Sequence, residues 1–461
     1  MARNLTVYEC DRCGFQTSKW LGRCPECRAW NSFEESAADS GRVGGRSSSP
    51  LLEPVPYPEI SFREIDRVST GFQELDRVLG GGLVPGGGIL LGGEPGIGKS
   101  TLLLQTASLL AKSGRSTLYV SGEESASQLR LRGERLGVQE EKLLVLEEND
   151  VNRIVATMES RSDRGLACVV VDSIQAVACP EIASLPGSMN QVRESAHRLL
   201  RFSKRASIPL FLVGHVTKEG GLAGPRALEH LVDNVIHFEG DRHHAHRILR
   251  TLKNRFGPSD EIGVFRMTDV GLTEVPNPSE VFLAERPLGV PGSAVHAGIE
   301  GTRTLLMEVQ ALVGEPFQGT PRRTALGIDS QRLALILAVL QRRAGLELSN
   351  RDIFVNVAGG LNLTEPASDL AVAASIASSY YRRPVGQDWA LIGEIGLAGE
   401  LRSVSRLDSR LKEAERLGFR KTLIPESCAG EAKPAARTAC AARHMTDALE
   451  TLFGGRENQI G

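Results

Sequence analysis

Neither sign of charge is in excess in this chain: 54 Lys and Arg stand against 56 Asp and Glu, for a net charge of −2. No global basic field announces a polyanionic partner, so any nucleic-acid site has to be a local patch. Long apolar runs are also missing. The longest, Leu333–Leu340, falls well short of the ~20 residues that a membrane span needs, and is expected as a helix buried against a core. Met1 to Cys10 holds no apolar signal-peptide core. Beyond residue 27 cysteine is sparse: Cys168, Cys179, Cys428 and Cys440 are scattered without pairing logic, as suits a reducing cytoplasm. What remains is ordinary globular composition, 41% hydrophobic and 24% charged. At 461 residues the chain is too long for one core and long enough for two sizeable domains with an appendage.

Four segments follow from the pattern. Residues 1–33 hold a cysteine cluster, and residues 34–58, rich in Ser, Gly and Pro, are expected as a flexible tether. Residues 59–271 alternate short β-branched strands with amphipathic helices, the pattern of an α/β domain with a mainly parallel sheet. Residues 285–455 form a second α/β domain, introduced by Pro276, Pro278, Pro287 and Pro291.

In the first segment Cys10-x2-Cys13 and Cys24-x2-Cys27 make two tight knuckles. Each turn aims two thiolates at one centre, and the pair completes a tetrahedral zinc site. A redox disulfide or free thiols are the alternatives, and paired knuckles at this spacing favour zinc. With four sulfur ligands no position stays open, so the metal is structural. Trp20, Arg23, Arg28 and Trp30 nearby either touch a partner or cover the metal.

The third segment carries the chemistry. The apolar strand Ile89–Leu91 runs into Gly93-Glu94-Pro95-Gly96-Ile97-Gly98-Lys99-Ser100, followed by a helix-forming run from Thr101. This is the G-x4-G-K-S phosphate loop: backbone N–H groups wrap the phosphates of ATP, Lys99 reaches the β/γ-phosphates, and the Ser100 hydroxyl ligates Mg²⁺. A second apolar strand, Leu166–Val171, ends in Asp172, the expected second anchor of Mg²⁺. Between them Thr117–Ser121 ends in Gly122-Glu123-Glu124. Glu123 is the first choice for polarising the attacking water and Glu124 the second, unless both only open the following helix. Leu210–Val213 ends at His215, which could sense the γ-phosphate or simply be solvated.

The four-cysteine finger, the phosphate loop GEPGIGKS and the pentapeptide Lys253-Asn254-Arg255-Phe256-Gly257 together resemble the bacterial RecA-fold ATPases. More closely, the chain is similar over essentially its whole length to the RadA/Sms family of DNA-repair proteins. The resemblance implies a homohexameric ring that moves on single-stranded DNA and promotes branch migration of branched recombination intermediates beside a recombinase partner. Read from the residues alone, Lys253 and Arg255 lie on a two-stranded hairpin and share a strand face. They act either as fingers on a neighbouring subunit's γ-phosphate or as part of a solvated basic hairpin, and the resemblance favours fingers.

Candidate DNA contacts are the loops Cys179–Met189 and Thr217–Arg226, the second with Lys218 and Arg226. The basic helix near Asn190–Ala206, with Arg193, Arg198, Arg201, Lys204 and Arg205, is a third. Aromatics are scarce in these segments, so base stacking is not the expected mode. The tract Arg242–Arg247 has three His but no carboxylate or Cys at ligand spacing, and is expected as an exposed turn. Residues 351–425 resemble the proteolytic domain of Lon. Where that family has its Ser nucleophile and Lys base, this chain aligns Asp369 and Asp408, with Ser368 and Lys412 out of register. A scaffold with a basic surface (Arg382, Arg383, Arg402, Arg406, Arg410) is therefore expected, the alternative being an ATP-dependent protease.

Overall fold

The computed structural model describes residues 7–10, 16–17, 20, 22–23, 25, 27, 33–36, 56–59, 66–215, 228–240, 246–316, 319, 321–430 and 439–454. The chain divides into two compact units, Met1–Glu64 and Ile65–Gly461. In the first, β1 (Val7–Cys10) is flanked by β2 (Gln16–Thr17) and β3 (Phe33–Ser36) in a small antiparallel sheet. Strand β3 takes up the start of the stretch expected as tether.

The second unit opens with a nine-stranded sheet. Its strands are β4 (Gly88–Gly93), β5 (Ser116–Ser121), β6 (Leu143–Glu147), β7 (Leu166–Asp172), β8 (Leu210–His215), β9 (Asn234–Glu239), β10 (His246–Asn254), β11 (Ile262–Thr268) and β12 (Gly271–Glu274), in the order β12-β11-β10-β9-β4-β8-β7-β5-β6. The six strands from β9 to β6 are parallel and the last three antiparallel. Period-two alternation sets the layers. Ile89 and Leu91 face one core with Tyr119, Val170 and Phe211, while Leu90 faces the other with Leu118, Val171 and Leu212. Helices α1 (Gln73–Val78) and α2 (Lys99–Lys112) cover the first face; α4 (Val151–Ser162) and α5 (Met189–Ala206) cover the second. Helix α3 (Ala126–Arg135) opens on a Ser125–Gln128 capping box, which satisfies two otherwise orphaned backbone donors.

The second domain is built on a seven-stranded sheet of order β15-β16-β14-β13-β17-β20-β21. Its strands are β13 (Ser293–Glu300), β14 (Arg303–Gly314), β15 (Arg323–Leu326), β16 (Asp352–Val357), β17 (Trp389–Leu391), β20 (Lys421–Pro425) and β21 (Ala439–Ala442), beside the two-stranded pair β18 (Glu394–Ile395) and β19 (Leu401–Arg402). Helix α6 (Pro278–Leu283) leads in. Helix α7 (Ser330–Arg342) buries Leu333, Ile336, Leu337 and Leu340 as expected but leaves Leu335 exposed. Helix α8 (Asp369–Tyr381) is buried without interruption from Asp369 to Ser378, and α9 (Leu407–Arg416) and α10 (Met445–Phe453) complete the fold.

The two domains are fused through β10 and β11. Leu249 and Phe265 point into the first core, whereas Ile248, Ile262 and Val264 belong to the core of the second domain. Ion pairs reinforce the seam: Arg303 Nη1 lies 3.0 Å from both oxygens of buried Glu74, and Arg250 Nη1 lies 2.6 Å from Glu300.

Candidate active site

The phosphate loop joins β4 to α2. Gly96 and Gly98 have φ of 78° and 117°, in the left-handed region that side-chain-bearing residues avoid. A Cβ on Gly98 would also come within 2.8 Å of Met267. Gly93, Glu94, Pro95, Gly96, Ile97 and Gly98 thus form a tight turn, with Lys99, Ser100 and Thr101 in the first turn of α2, where backbone N–H groups are free for anions. The Lys99 side chain is almost fully buried, and its Nζ donates to the carbonyls of Gly93 (2.8 Å) and Glu94 (2.9 Å). Burial pushes the ammonium down to about 8, with Asp172 and Glu123 opposing the shift.

Asp172 ends β7 two strands away from β4, with only β8 between them. Its Oδ2 accepts from the buried hydroxyl of Tyr119 at 2.5 Å, and the Tyr119 phenol is pushed well up by burial and by this carboxylate. The two glutamates after β5 part company. Glu123 is exposed and accepts from the Ser173 hydroxyl, next to Asp172. Glu124 is ion-paired with Arg132 on α3. Lys99, Asp172 and Glu123 therefore share one sheet edge, and Glu124 is turned toward a helix. His215 ends β8 with its backbone in register with Gly93; its side chain lies outside the described residues.

Lys253 and Arg255 sit elsewhere. Strand β9 runs parallel to β4, with Asn234 beside Ile89 and Phe238 beside Gly93, and β10 returns antiparallel, setting Asn254 beside Asn234. Asn254 thus stands about 13 Å down the strands from Gly93 at ~3.3 Å per residue, and the pentapeptide lies toward the edge of the sheet opposite the phosphate loop. Its residues are individually held. Lys253 Nζ donates to the carbonyls of Glu229 (2.6 Å) and Val232 (2.9 Å), and Arg255 Nη1 pairs with Asp233 at 3.1 Å. The Asn254 side chain accepts from Phe256 N–H, and Arg67 donates to the Phe256 carbonyl at 2.6 Å. The shared strand face is corrected in detail: a bulge falls between Thr251 and Lys253, and β10 ends at Asn254. The two cations converge through the 229–233 turn instead.

On α5, Arg198 is tied to Glu194, Glu181 and Asn152, Arg205 to Glu159 and Lys204 to Asp233, while Arg193 and Arg201 are exposed. Loop 179–189 exposes Leu185 and Met189. Lys218, Arg226 and residues 242–245 lie outside the described residues; His246 begins β10 and packs edge-on against Phe282.

In the first unit, Cys10 and Cys27 hold their sulfurs 3.6 Å apart. Two thiolates on a tetrahedral zinc at 2.3 Å would be about 3.8 Å apart, and a disulfide about 2.05 Å, so the spacing fits the metal. Cys13 and Cys24 lie outside the described residues, as do Arg28 and Trp30; Trp20 is exposed.

In the second domain, Asp369 accepts from Arg332 Nε (2.8 Å) and from the Ile395 N–H (3.0 Å) beneath a cavity of ≈ 580 Å³. Ser368 donates to the Glu365 carbonyl at 2.8 Å, and Asp408 and Lys412 are exposed. One expectation is overturned. Arg410 is not on a basic surface but fully buried, bonded to Glu365 and the Ala297 carbonyl, with His296 on the same carboxylate. Arg410 and His296 hold Glu365 down to about 2 against its burial. The α9 periodicity (Leu407, Leu411 and Ala414 inward) was the signal that Arg410 faces in. Tyr119, Ser173 and Asp233 escaped the sequence reading, and Arg247, expected at the end of an exposed turn, is instead buried in β10 with its Nε 3.3 Å from the Ile97 carbonyl; only Tyr119, a polar tip in an apolar strand, left a trace there.

Comparison with known proteins agrees with this architecture. Residues 8–35 match the rubredoxin-type metal-binding domain, residues 68–273 the KaiC ATPase family, and residues 324–428 the ChlI subunit of Mg-chelatase. Zinc, ATP and Mg²⁺ are the cofactors that these domains take. The DNA repair protein RadA of Halalkalibacterium halodurans is 47% identical over 98% of this chain and 100% of its own length. RadA of Bacillus subtilis is 47% identical over 99% and 100%, and RadA of Pseudomonas aeruginosa 46% over 98% and 100%. With a metal-binding ribbon, a RecA-like ATPase domain and a Lon-like domain in the same order, this chain belongs to the RadA family of DNA repair proteins.

Proposed function

We propose that the chain is a homohexameric, DNA-dependent ATPase that translocates on single-stranded DNA. It would drive branch migration of recombination intermediates in the cytoplasm, in concert with a recombinase. Within one subunit the nucleotide site is assembled from Gly93 to Thr101. Lys99 neutralises the β/γ-phosphates, Ser100 and Asp172 hold Mg²⁺, and Glu123 orients the attacking water. Glu124, engaged by Arg132, is left to structure. Mg²⁺ supplies charge neutralisation on the transferring phosphoryl group.

The observation that carries the reading is the position of Lys253 and Arg255. Toward the sheet edge opposite their own phosphate loop, ~10 Å or more down the strands from Gly93, they lie away from it, whereas an adjoining subunit's γ-phosphate can meet them. This supports a ring in which each site is completed in trans, and the basic α5 face with Lys218 and Arg226 supports DNA contact. Peptidase activity is not part of the proposal, because Asp369 occupies the nucleophile position in an Arg332 ion pair.

Complementation tests it. Lys99→Ala and Arg255→Ala should each be inactive alone, and mixtures should regain ATP turnover at interfaces that pair an intact loop with an intact Arg255. Absence of recovery at every mixing ratio, or full activity of Arg255→Ala in an intact ring, overturns the finger. An ATPase rate indifferent to single-stranded DNA overturns the DNA-driven reading, and casein degradation lost in Asp369→Ala overturns the scaffold reading.

A further inference from the structure

Asp233 is a carboxylate with a side chain 5% exposed, placed between the phosphate-loop strand and the pentapeptide. Its Oδ2 accepts from the N–H of Gly88, the first residue of β4, at 3.1 Å. Its Oδ1 faces two cations, Arg255 Nη1 at 3.1 Å and Lys204 Nζ at 3.5 Å. Its backbone takes part as well: Asp233 N–H donates to the Gly88 carbonyl, and Arg255 N–H donates to the Asp233 carbonyl. A carboxylate this deeply buried is costly unless paired, so it holds the guanidinium firmly. Arg255 itself is half exposed. Five donors radiate from a planar guanidinium; one nitrogen engaged by Asp233 tethers the group at that point and leaves the others for an incoming anion. The preceding turn does the same for Lys253, whose ammonium is caged by the Glu229 and Val232 carbonyls.

We infer that Asp233 is a positioning residue for the trans-acting Arg255: it anchors the guanidinium to β4 and presents the free donors to a phosphate of the adjoining subunit. The inference rests on the reading of Arg255 as a finger. It adds a physical reason for the orientation of a half-exposed Arg255 just beyond the end of β10, since orientation paid for before the reaction lowers the barrier more than charge alone. It also makes β4 the common mount of both half-sites. The strand carries the subunit's own phosphate loop at one end and, through Gly88 and Asp233, the finger offered to the neighbour at the other.

Asp233→Asn keeps an acceptor for Gly88 N–H and removes the charge. In full-length protein with Mg²⁺-ATP and single-stranded DNA, it should lower kcat about tenfold or more and leave KM for ATP within about twofold. Asp233→Glu should recover part of the loss. The lesion should also act in trans: mixing Asp233→Asn with Lys99→Ala should restore turnover, as mixing Arg255→Ala with Lys99→Ala does. Wild-type kcat in Asp233→Asn, beside an inactive Arg255→Ala, overturns the positioning role and leaves the finger standing. A loss that Lys99→Ala does not complement, while Arg255→Ala is complemented, means that Asp233 serves its own β4 and also overturns it. Full activity of Arg255→Ala fells the finger itself. If Asp233→Asn does not fold, Lys204→Glu, at an exposed position, sets a second carboxylate beside the guanidinium. It should depress kcat in the same complementable way, and an unchanged kcat there overturns the proposal.

Discussion

Lys99 shows how one buried cation ties binding to pH. Its pKa is lowered to about 8 from 10.5 by burial, so between those values the unfolded chain holds the proton that the folded chain has released. Below pH 8 the cost of burying the charge is fully present, and it is relieved as pH rises from 8 toward 10.5. Lys99→Met should therefore abolish turnover and yet stabilise the fold at pH 7, by at most about 3 kcal/mol. That advantage should shrink as pH climbs past 8, in melting temperatures recorded at pH 7 and 9.5. A variant less stable than wild type at pH 7 would mean that the two carbonyl hydrogen bonds outweigh the buried charge. The loop was readable in the sequence because its residues are contiguous and its glycines do a local job. Asp233 was not, because its meaning comes from Gly88, 145 positions earlier.

Among elements, α5 separates charge that is spent from charge that is available. Arg198 is already held by Glu194 and Glu181, and Arg205 by Glu159, whereas Arg193 and Arg201 are exposed on the same helix. The double variant Arg193→Ala/Arg201→Ala should weaken single-stranded DNA binding and flatten its log–log salt slope by about 1.4, near 0.7 per lost phosphate contact. Arg198→Ala should leave that slope unchanged, and fluorescence anisotropy across a salt series distinguishes the two. Composition alone marked this helix as basic without sorting its arginines, because pairing depends on Glu181, Asn152 and Glu159 from neighbouring elements. The ribbon is the opposite case. Its four thiols announce a metal by spacing, since so short a segment has little core and the metal supplies its folding free energy.

Across the whole molecule, the ATPase and Lon-like domains share a core. β10 and β11 bury alternate residues in each, and Glu74 on α1 receives Arg303 from β14 as well as the Val264 N–H. Removing one partner of a buried ion pair strands the other, at a cost of about 3–5 kcal/mol. Glu74→Ala should lower stability by that order, and both domains should still melt in a single urea transition. Two separated transitions in the wild-type chain would show that the seam does not couple them. In the sequence, Pro276, Pro278, Pro287 and Pro291 mark where the second domain is introduced, and proline does break helices. Whether the flanking domains then part depends on surfaces that only folding brings together.

The sequence by itself determined the chemistry that needs consecutive residues: a phosphate loop between strand and helix, paired cysteine knuckles, and carboxylates closing apolar strands. These are decided by backbone conformation and by spacing over a few residues. Tertiary structure alone decided which charges are free and which are consumed. It buried Arg410 against Glu365, turned Glu124 to Arg132 while leaving Glu123 beside Ser173 and Asp172, and set Arg255 on Asp233 at the sheet edge away from Lys99. The physical reason is that an ion pair or a buried carboxylate is a relation between segments. The order of strands β10, β9, β4, β8 and β7 sets which segments meet, and local residue pattern does not encode that order.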